Sequence, residues 1–254
     1  MRKPLIAGNW KMFKNAAEAR TFIYAFKQAV ADVKDREAVL CVPYTDLWAA
    51  AEALKGTPIG LGSQNVHWEA QGAFTGEISV GMLKEIGCQY AVVGHSERRQ
   101  YFGETDTTVN KRTLAALAGG LTPITCIGET LQEREANKTF AVLERQIKEG
   151  LKGLPNPTAV VIAYEPVWAI GTGKTATPAQ AQEAHAFVRQ EFAKLYGTAA
   201  QSVRILYGGS VKPDNMGQLM SQGDIDGGLV GGASLEAESF AKIVKFEKAA
   251  AVTK

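Results

Sequence analysis

The sequence has few cysteines, and they are badly placed for pairing. Cys41, Cys88 and Cys126 are the only three in a chain of 254 residues, and no two of them form a Cys-x-x-Cys motif. An odd number of widely spaced cysteines, each in or beside an apolar run, argues against a disulfide framework and against a cysteine-rich metal site. They predict buried, reduced thiols of the kind found in a cytoplasmic protein.

Long hydrophobic segments and a charge excess are also missing. No apolar run approaches the roughly 20 residues that a membrane-spanning helix needs, and the short run after Pro4 is too brief for a signal peptide. The formal net charge is only +2, which gives no reason to expect nucleic acid or an anionic membrane as a partner. We therefore expect a cytoplasmic protein that engages neither.

Apolar residues make up 46% of the chain and recur as eight short runs separated by helical patterns. The runs predict strands at residues 4–8, 38–42, 58–61, 89–93, 122–127, 159–163, 203–206 and 228–230. Strands separated by helices pair in parallel, and eight such units in about 250 residues fit one closed α/β barrel of the (β/α)₈ class. An open doubly wound sheet fits the same alternation, because the pattern alone does not show closure. No linker or repeat interrupts the chain, so we expect a single domain over residues 1–254.

The stretch 159–177 organises the rest of the chain. Its predicted strand ends on Glu165, and an apolar segment containing Trp168 leads into a glycine-rich turn at Gly171. Thr177 then fits the N-cap of a helix, with Pro and Gln at the positions of a capping box. We interpret the segment as a lid that closes over a small anion, with Glu165 as a base beneath it. The alternative is an ordinary strand-to-helix connection whose Glu is a surface charge.

Polar residues follow several of the other predicted strands. In a (β/α)₈ barrel these positions meet on one rim, where active sites form. The candidate site residues at these strand ends, polar side chains and glycines together, are Asn9, Lys11, His95, Glu97, Glu165, Ser210, Gly231 and Gly232. The glycine loops after strands seven and eight are typical of phosphate sites built from backbone N–H groups, although each alone would equally suit a helix-start turn.

His95 is one of three histidines, and its place at a strand end beside a glycine favours an acid–base role. We expect His67 and His185 to be packed or surface side chains. Residues 171–176 match a loose dinucleotide-binding pattern, but they lie too far beyond the strand to form its tight turn. Lys11, taken alone, would be read as a surface ammonium group.

Five segments of the chain closely resemble the triosephosphate isomerase family. They are residues 9–12 (NWKM), 94–99 (GHSERR), 163–174 (AYEPVWAIGTGK), 207–211 (YGGSV) and 230–234 (VGGAS). The resemblance runs in order along essentially the whole chain and implies a TIM barrel. It also implies interconversion of dihydroxyacetone phosphate and glyceraldehyde 3-phosphate in glycolysis and gluconeogenesis, without cofactor or metal.

The resemblance assigns roles to individual residues. Glu165 would move the proton α to the carbonyl, and His95 would act as a neutral imidazole, the division of roles established for triosephosphate isomerases. Lys11 would stabilise the developing negative charge, Asn9 would orient the substrate oxygens, and Glu97 would contact this network. The phosphate would be held by backbone N–H groups at Gly171, Ser210, Gly231 and Gly232.

The resemblance also implies a homodimer. The loop that begins at Gln64 and ends at Glu77 would enter a pocket of a second subunit, with Thr75 near the other active site. We expect Glu77 and Arg98 to pair across that interface.

The chain departs from the family pattern at Phe13, where many family members carry a polar residue. No catalytic position is replaced.

Two other functions compete with the isomerase. A phosphosugar-binding barrel without turnover would have no need for Lys11, His95 and Glu165 together. A phosphate-handling epimerase or aldolase would need a metal cluster or a Schiff-base lysine at a strand end, and Lys11 is the only lysine there.

Overall fold

Eight parallel strands close into a barrel in a computed structural model, which describes residues 2–171 and 175–249. Each strand pairs with the strands before and after it, and β1 pairs with β8. The strands are β1 (Leu5–Asn9), β2 (Glu37–Val42), β3 (Gly60–Ser63), β4 (Tyr90–Val93), β5 (Thr122–Ile127), β6 (Val161–Tyr164), β7 (Arg204–Tyr207) and β8 (Gly227–Val230). The predicted closed barrel is confirmed, and the open-sheet alternative is wrong.

Helices surround the barrel and begin near the carboxyl ends of the strands. They are α1 (Ala16–Ala29), α2 (Leu47–Leu54), α3 (Val80–Ile86), α4 (Ser96–Tyr101), α5 (Asp106–Ala118), α6 (Leu131–Glu135), α7 (Thr139–Gly150), α8 (Pro178–Tyr196), α9 (Pro213–Met220) and α10 (Ala237–Val244). The predicted start of α8 is confirmed, because Thr177 and Gln180 form a capping box. Within the described ranges, no helix is long and apolar enough to cross a membrane.

Apolar side chains form two layers, one inside the barrel and one between the barrel and its helices. Alternation along a strand separates them, since Ala7 belongs to the inner cluster and Ile6 to the outer one. Cys41 and Cys126 lie in the inner cluster, Cys88 lies in the outer one, and all three are buried and unpaired. The prediction of buried, reduced thiols is confirmed.

Two strands begin two residues later than the sequence predicts. β3 begins at Gly60 and not at residue 58, and β6 begins at Val161 because Pro157–Ala159 form a 3₁₀ turn. Glycines weaken the strand pattern of β3, yet a side chain would not fit there. A Cβ atom at Gly62 would lie 2.7 Å from Cys41 Sγ inside the barrel.

Candidate active site

Glu165 follows the last residue of β6 and is 2% exposed. Its Oε1 lies 2.9 Å from His95 Nε2, and its Oε2 accepts a hydrogen bond of 2.9 Å from the backbone N–H of Ser96. Burial raises the pKa of this carboxyl, but the His95 imidazole and the Ser96 N–H lower it by more, so the net shift is downward. Glu165 is therefore a buried carboxylate with both oxygens engaged.

Two glycines make room for Glu165. A Cβ atom on Gly208 would lie 2.8 Å from Glu165 Cγ, and one on Gly128 would lie 1.7 Å from the Glu165 carbonyl oxygen. No side chain fits at either position without displacing the carboxylate or its backbone. The glycine after β7 thus has a second reason to be present, besides the phosphate site predicted from the sequence.

His95 is the N-cap of α4, and its ring is almost fully buried. The Glu97 backbone N–H points at Nδ1 over 3.3 Å, so Nδ1 is the acceptor and Nε2 carries the proton donated to Glu165. Burial lowers the pKa of His95, whereas the Glu165 carboxylate and, to a smaller extent, the Glu97 carboxylate raise it, so the net direction is upward in this arrangement.

Lys11 adopts a left-handed backbone with φ of 55° directly after β1. The Asn9 side chain accepts its N–H at 3.0 Å, and the Gln64 amide donates to its carbonyl oxygen at 2.8 Å. Its ammonium group lies 2.6 Å from Glu97 Oε1. Sequence reasoning placed Gln64 only at the start of a loop and missed its contact with Lys11, because the two residues are far apart in the chain.

The predicted site residues converge on one cavity of about 250 Å³. It is lined by Asn9, Lys11, His95, Glu165, Gly171, Ser210, Gly231 and Gly232, among others. Glu97 stands beside the cavity, where it contacts both Lys11 and His95. The glycine turns after β7 and β8 adjoin the charged side chains, because Gly208 packs against Glu165 and Gly231 packs against Lys11.

Glu129 is buried, and the sequence analysis assigns it no function. Its carboxylate accepts hydrogen bonds from Tyr164 Oη, from Trp168 Nε1 at 2.9 Å and from Arg134 at 3.1 Å. It thereby ties the first turn of the expected lid, Val167–Ala169, to the end of β5. The remaining lid glycine, Gly173, lies outside the described residues, as do Thr172 and Lys174.

The sequence predicts that His67 and His185 are either packed or surface side chains, and both are packed. His185 is fully buried, and burial lowers its pKa to about 3. His67 lies between the rings of Trp68 and Phe74. Across residues 2–171 and 175–249, no group of three or more His, Cys, Asp and Glu side chains is arranged to hold a metal ion.

Comparison with known proteins places this geometry in a family. The model of the family described as triosephosphate isomerase matches residues 4–247. The chain belongs to the triosephosphate isomerase family. The resemblance found in the sequence is therefore confirmed over nearly its whole length.

Individual members of the triosephosphate isomerase family are similar to this chain from end to end. The triosephosphate isomerase of Endomicrobium trichonymphae is 60% identical over 250 residues, covering 98% of this chain and 100% of that protein. That of Moorella thermoacetica is 55% identical over 250 residues, with the same two coverages. A crystal structure of the Bartonella henselae triosephosphate isomerase superimposes with a TM-score of 0.88 at 41% identity, covering 95% of this chain and 97% of that one.

Proposed function

We propose that the cavity beside Glu165 is the active site at which this chain interconverts dihydroxyacetone phosphate and glyceraldehyde 3-phosphate. Family membership supports the reaction: the chain is an isomerase that acts on triose phosphates in glycolysis. The observation that carries the assignment of the site is the convergence of Lys11, His95 and Glu165 on one cavity with the glycine turns after β7 and β8.

Glu165 is the general base. In the ligand-free arrangement the downward shift of its pKa keeps it ionised at neutral pH. When Glu165 turns from His95 to the substrate, the contact that lowers its pKa is lost while burial still raises it, so its affinity for the proton α to the substrate carbonyl increases. Its Oε1 is occupied by His95 in the ligand-free arrangement. The substrate carbon takes over that place, and the carboxylate returns the proton to the neighbouring carbon to complete the isomerisation.

His95 works as a neutral donor. Once Glu165 turns to the substrate, the larger of the two carboxylate interactions that raise the pKa of His95 is lost, while burial and Lys11 still lower it. The Glu97 N–H holds Nδ1 as an acceptor, so the proton on Nε2 faces the substrate oxygens. Lys11 adds positive charge where the enediolate develops negative charge, and Asn9 orients the oxygens.

The phosphate sits at the glycine turns. Backbone N–H groups at Gly171, Ser210, Gly231 and Gly232 are the proposed donors. The lid protects the intermediate, because an enediolate phosphate in water can eliminate its phosphate group. Glu129 supports this lid by holding Trp168 and Tyr164 at its first turn.

We also propose that the chain forms a homodimer through the loop from Gln64 to Glu77. Most residues of this loop between 69 and 76 are exposed, including Phe74 at its tip. Further large apolar side chains are exposed elsewhere on the chain: Met12, Phe13, Tyr44, Trp48, Met82, Tyr101 and Phe102. We propose that the dimer interface covers several of these exposed apolar side chains together with Phe74.

The proposed pairing of Glu77 with Arg98 across the interface remains a prediction. Within the chain, Glu77 lies 3.2 Å from His67 Nδ1 and 3.6 Å from Arg112, whereas Arg98 binds Glu104 at 2.5 Å. Removal of residues 69–76 should give a monomer of low activity in analytical ultracentrifugation. An unchanged, fully active dimer would contradict the interface.

We further propose that residues 1–254 form a single domain and that the protein is cytoplasmic. The one closed barrel and the continuous match to family members support the first statement. The three unpaired thiols support the second.

The test of the proposed function is a coupled assay of glyceraldehyde 3-phosphate isomerisation in the presence of EDTA, with Glu165→Ala beside the wild type. Full wild-type activity with chelator and a collapse in the variant are expected. Absence of wild-type activity despite binding of inorganic phosphate would favour a binding barrel without turnover. Loss of activity on adding EDTA would favour a metal-dependent enzyme.

A further inference from the structure

Gln146 lies on α7, outside the cavity, and is 4% exposed. Its amide makes two hydrogen bonds to one residue at the end of β5. Gly128 N–H donates to Gln146 Oε1 at 2.7 Å, and Gln146 Nε2 donates to the Gly128 carbonyl oxygen at 3.1 Å. A side chain on a surrounding helix therefore holds both polar groups of a backbone residue in the barrel.

Gly128 cannot obtain these bonds from the neighbouring strand. The pairing of β4 with β5 ends at Val93 and Thr125, before Gly128 is reached. A buried N–H or carbonyl group left without a partner is costly. The Gln146 amide supplies the donor and the acceptor that a neighbouring strand would otherwise offer to Gly128.

Gly128 is also the backbone against which the base rests. Glu165 N–H donates to the Ile127 carbonyl at 2.7 Å and Val167 N–H donates to the Glu129 carbonyl at 3.0 Å, so Gly128 lies opposite Glu165. The contact is so close that a Cβ atom on Gly128 would come within 1.7 Å of the Glu165 carbonyl oxygen. Any shift of Gly128 is therefore transmitted to the backbone of Glu165.

We propose that Gln146 is a positioning residue for the isomerisation, which acts on Glu165 through Gly128. This inference rests on the proposed role of Glu165 as the base. Without the amide, the end of β5 is free to relax away from α7, and the carboxylate moves with it. Since a misplacement of about 1 Å can cost on the order of a hundredfold in rate, turnover should be sensitive to a side chain that never touches the substrate.

The phosphate subsite provides an internal reference. Ser210, Gly231 and Gly232 follow β7 and β8. Among the described residues, none of these three forms a hydrogen bond with α7 or with Gly128. Loss of Gln146 should therefore lower kcat and leave binding of a phosphate ligand nearly unchanged. A general weakening of the fold would change both.

The test is Gln146→Met, which keeps the length of the side chain and removes its amide. Gln182→Met is the control: Gln182 on α8 also contacts one residue twice, since its amide donates to the Asp224 carboxylate at 2.7 Å and accepts from the Asp224 backbone N–H at 3.0 Å, ahead of β8 at the other end of the barrel. Both variants are measured for kcat, KM, inhibition by inorganic phosphate and thermal unfolding, alongside wild type and Glu165→Ala.

We expect kcat of Gln146→Met to fall at least tenfold, with KM and phosphate inhibition within about twofold of wild type. Gln182→Met should lose thermal stability but keep wild-type kcat. A kcat of Gln146→Met within twofold of wild type would overturn the proposal, and so would an equal loss in Gln182→Met. If Glu165→Ala keeps wild-type activity, the assignment of the base fails instead, which separates the two outcomes.

Gln146→Glu keeps the proposal falsifiable if Gln146→Met does not fold. A protonated carboxyl can replace the amide, because it accepts from the Gly128 N–H and donates to the Gly128 carbonyl. An ionised carboxylate loses the donor and faces the carbonyl oxygen. We expect kcat of this variant to approach wild type at low pH and to fall as the pH rises, relative to wild type at each pH. A pH profile parallel to that of the wild type would overturn the proposal.

Discussion

The two ends of the barrel use charged side chains in opposite ways. At the end where the strands begin, Glu37 accepts hydrogen bonds from Arg204 at 2.7 Å and from Tyr90 at 3.1 Å. Nearby, Arg189 binds Asp226 at 2.8 Å and also reaches Asp224 at 2.6 Å. Glu37 and Arg189 thus each have several fixed partners from different elements.

At the end where the strands finish, the charges beside the cavity form a short chain, in which Glu97 contacts both Lys11 and His95, and His95 contacts Glu165. Lys11 contacts Glu97 with side chains 24% and 38% exposed, and Glu165 contacts His95 beside an open cavity. A substrate that enters the cavity can replace these partners. The difference suggests that charge at the first end stabilises the fold, whereas charge at the second end is held ready for a ligand.

Arg189→Met tests the stabilising end and should have the largest effect. The variant leaves Asp226 with Arg2 as a cationic partner and loses the bonds of the guanidinium to Asp224, Asp226 and the carbonyls of Ala200 and Val203. Hydrogen bonds to charged groups contribute about 1.5–3 kcal/mol each, so the loss of several at once should cost about 3–5 kcal/mol, which urea unfolding would measure. Activity per folded molecule should remain that of the wild type. A variant with wild-type stability but no activity would contradict the claim that Arg189 serves the fold and not the reaction.

Lys11→Met tests the other end with the same kind of change. Loss of a group that stabilises negative charge in the transition state should lower kcat by about 10²- to 10³-fold, roughly 3–4 kcal/mol. Because the Lys11–Glu97 pair is partly exposed, the free energy of unfolding should change by less than about 1 kcal/mol. Steady-state kinetics and urea unfolding of one preparation measure both quantities. A large stability loss with little loss of kcat would contradict the assignment.

His185→Gln sharpens the comparison by pH. Burial lowers the pKa of His185 to about 3, below the unfolded value of about 6.5. The native state thus holds the ring neutral. Its full contribution to the free energy of unfolding is present above pH 6.5 and is lost as the pH falls toward 3. At pH 5 the free energy of unfolding should be about 2 kcal/mol lower than at pH 8 because of this one group. The stability of the variant should depend less on pH over this window, as measured by urea unfolding at each pH. Parallel pH profiles would show that another group is responsible.

Asn15→Ala should give the smallest effect and shows that not every polar residue at the catalytic end serves the site. Asn15 caps α1 by accepting from the backbone N–H groups of Ala17 and Glu18. Loss of an N-cap costs about 1 kcal/mol, while kcat should stay unchanged. Thermal unfolding and the coupled assay measure the two effects. A fall in kcat would extend the functional region beyond the cavity.

The sequence predicted the barrel and most of the site because both depend on local patterns. Eight apolar runs specify eight buried strands, and the polar residue after each run falls on the same rim whatever the helices do. Glu165 and His95 are examples, since each directly follows or nearly follows a strand end. Their convergence needs only the parallel order of the strands.

The supporting residues were not predictable in the same way. Gln146, Gln64 and Glu129 act on the site through contacts with residues 18 or more positions away in sequence. A single Gln on the apolar face of α7 does not differ by pattern from a boundary residue.

The most direct test of Glu165 as the positioned base is Glu165→Asp, with turnover and inorganic phosphate affinity measured on the same protein. The shorter side chain withdraws the carboxylate by about one methylene, so we expect kcat to fall on the order of a hundredfold. The affinity for phosphate should stay within about twofold, because the glycine turns after β7 and β8 are untouched. Equal losses of turnover and phosphate binding, or a kcat close to that of the wild type, would contradict the role of Glu165.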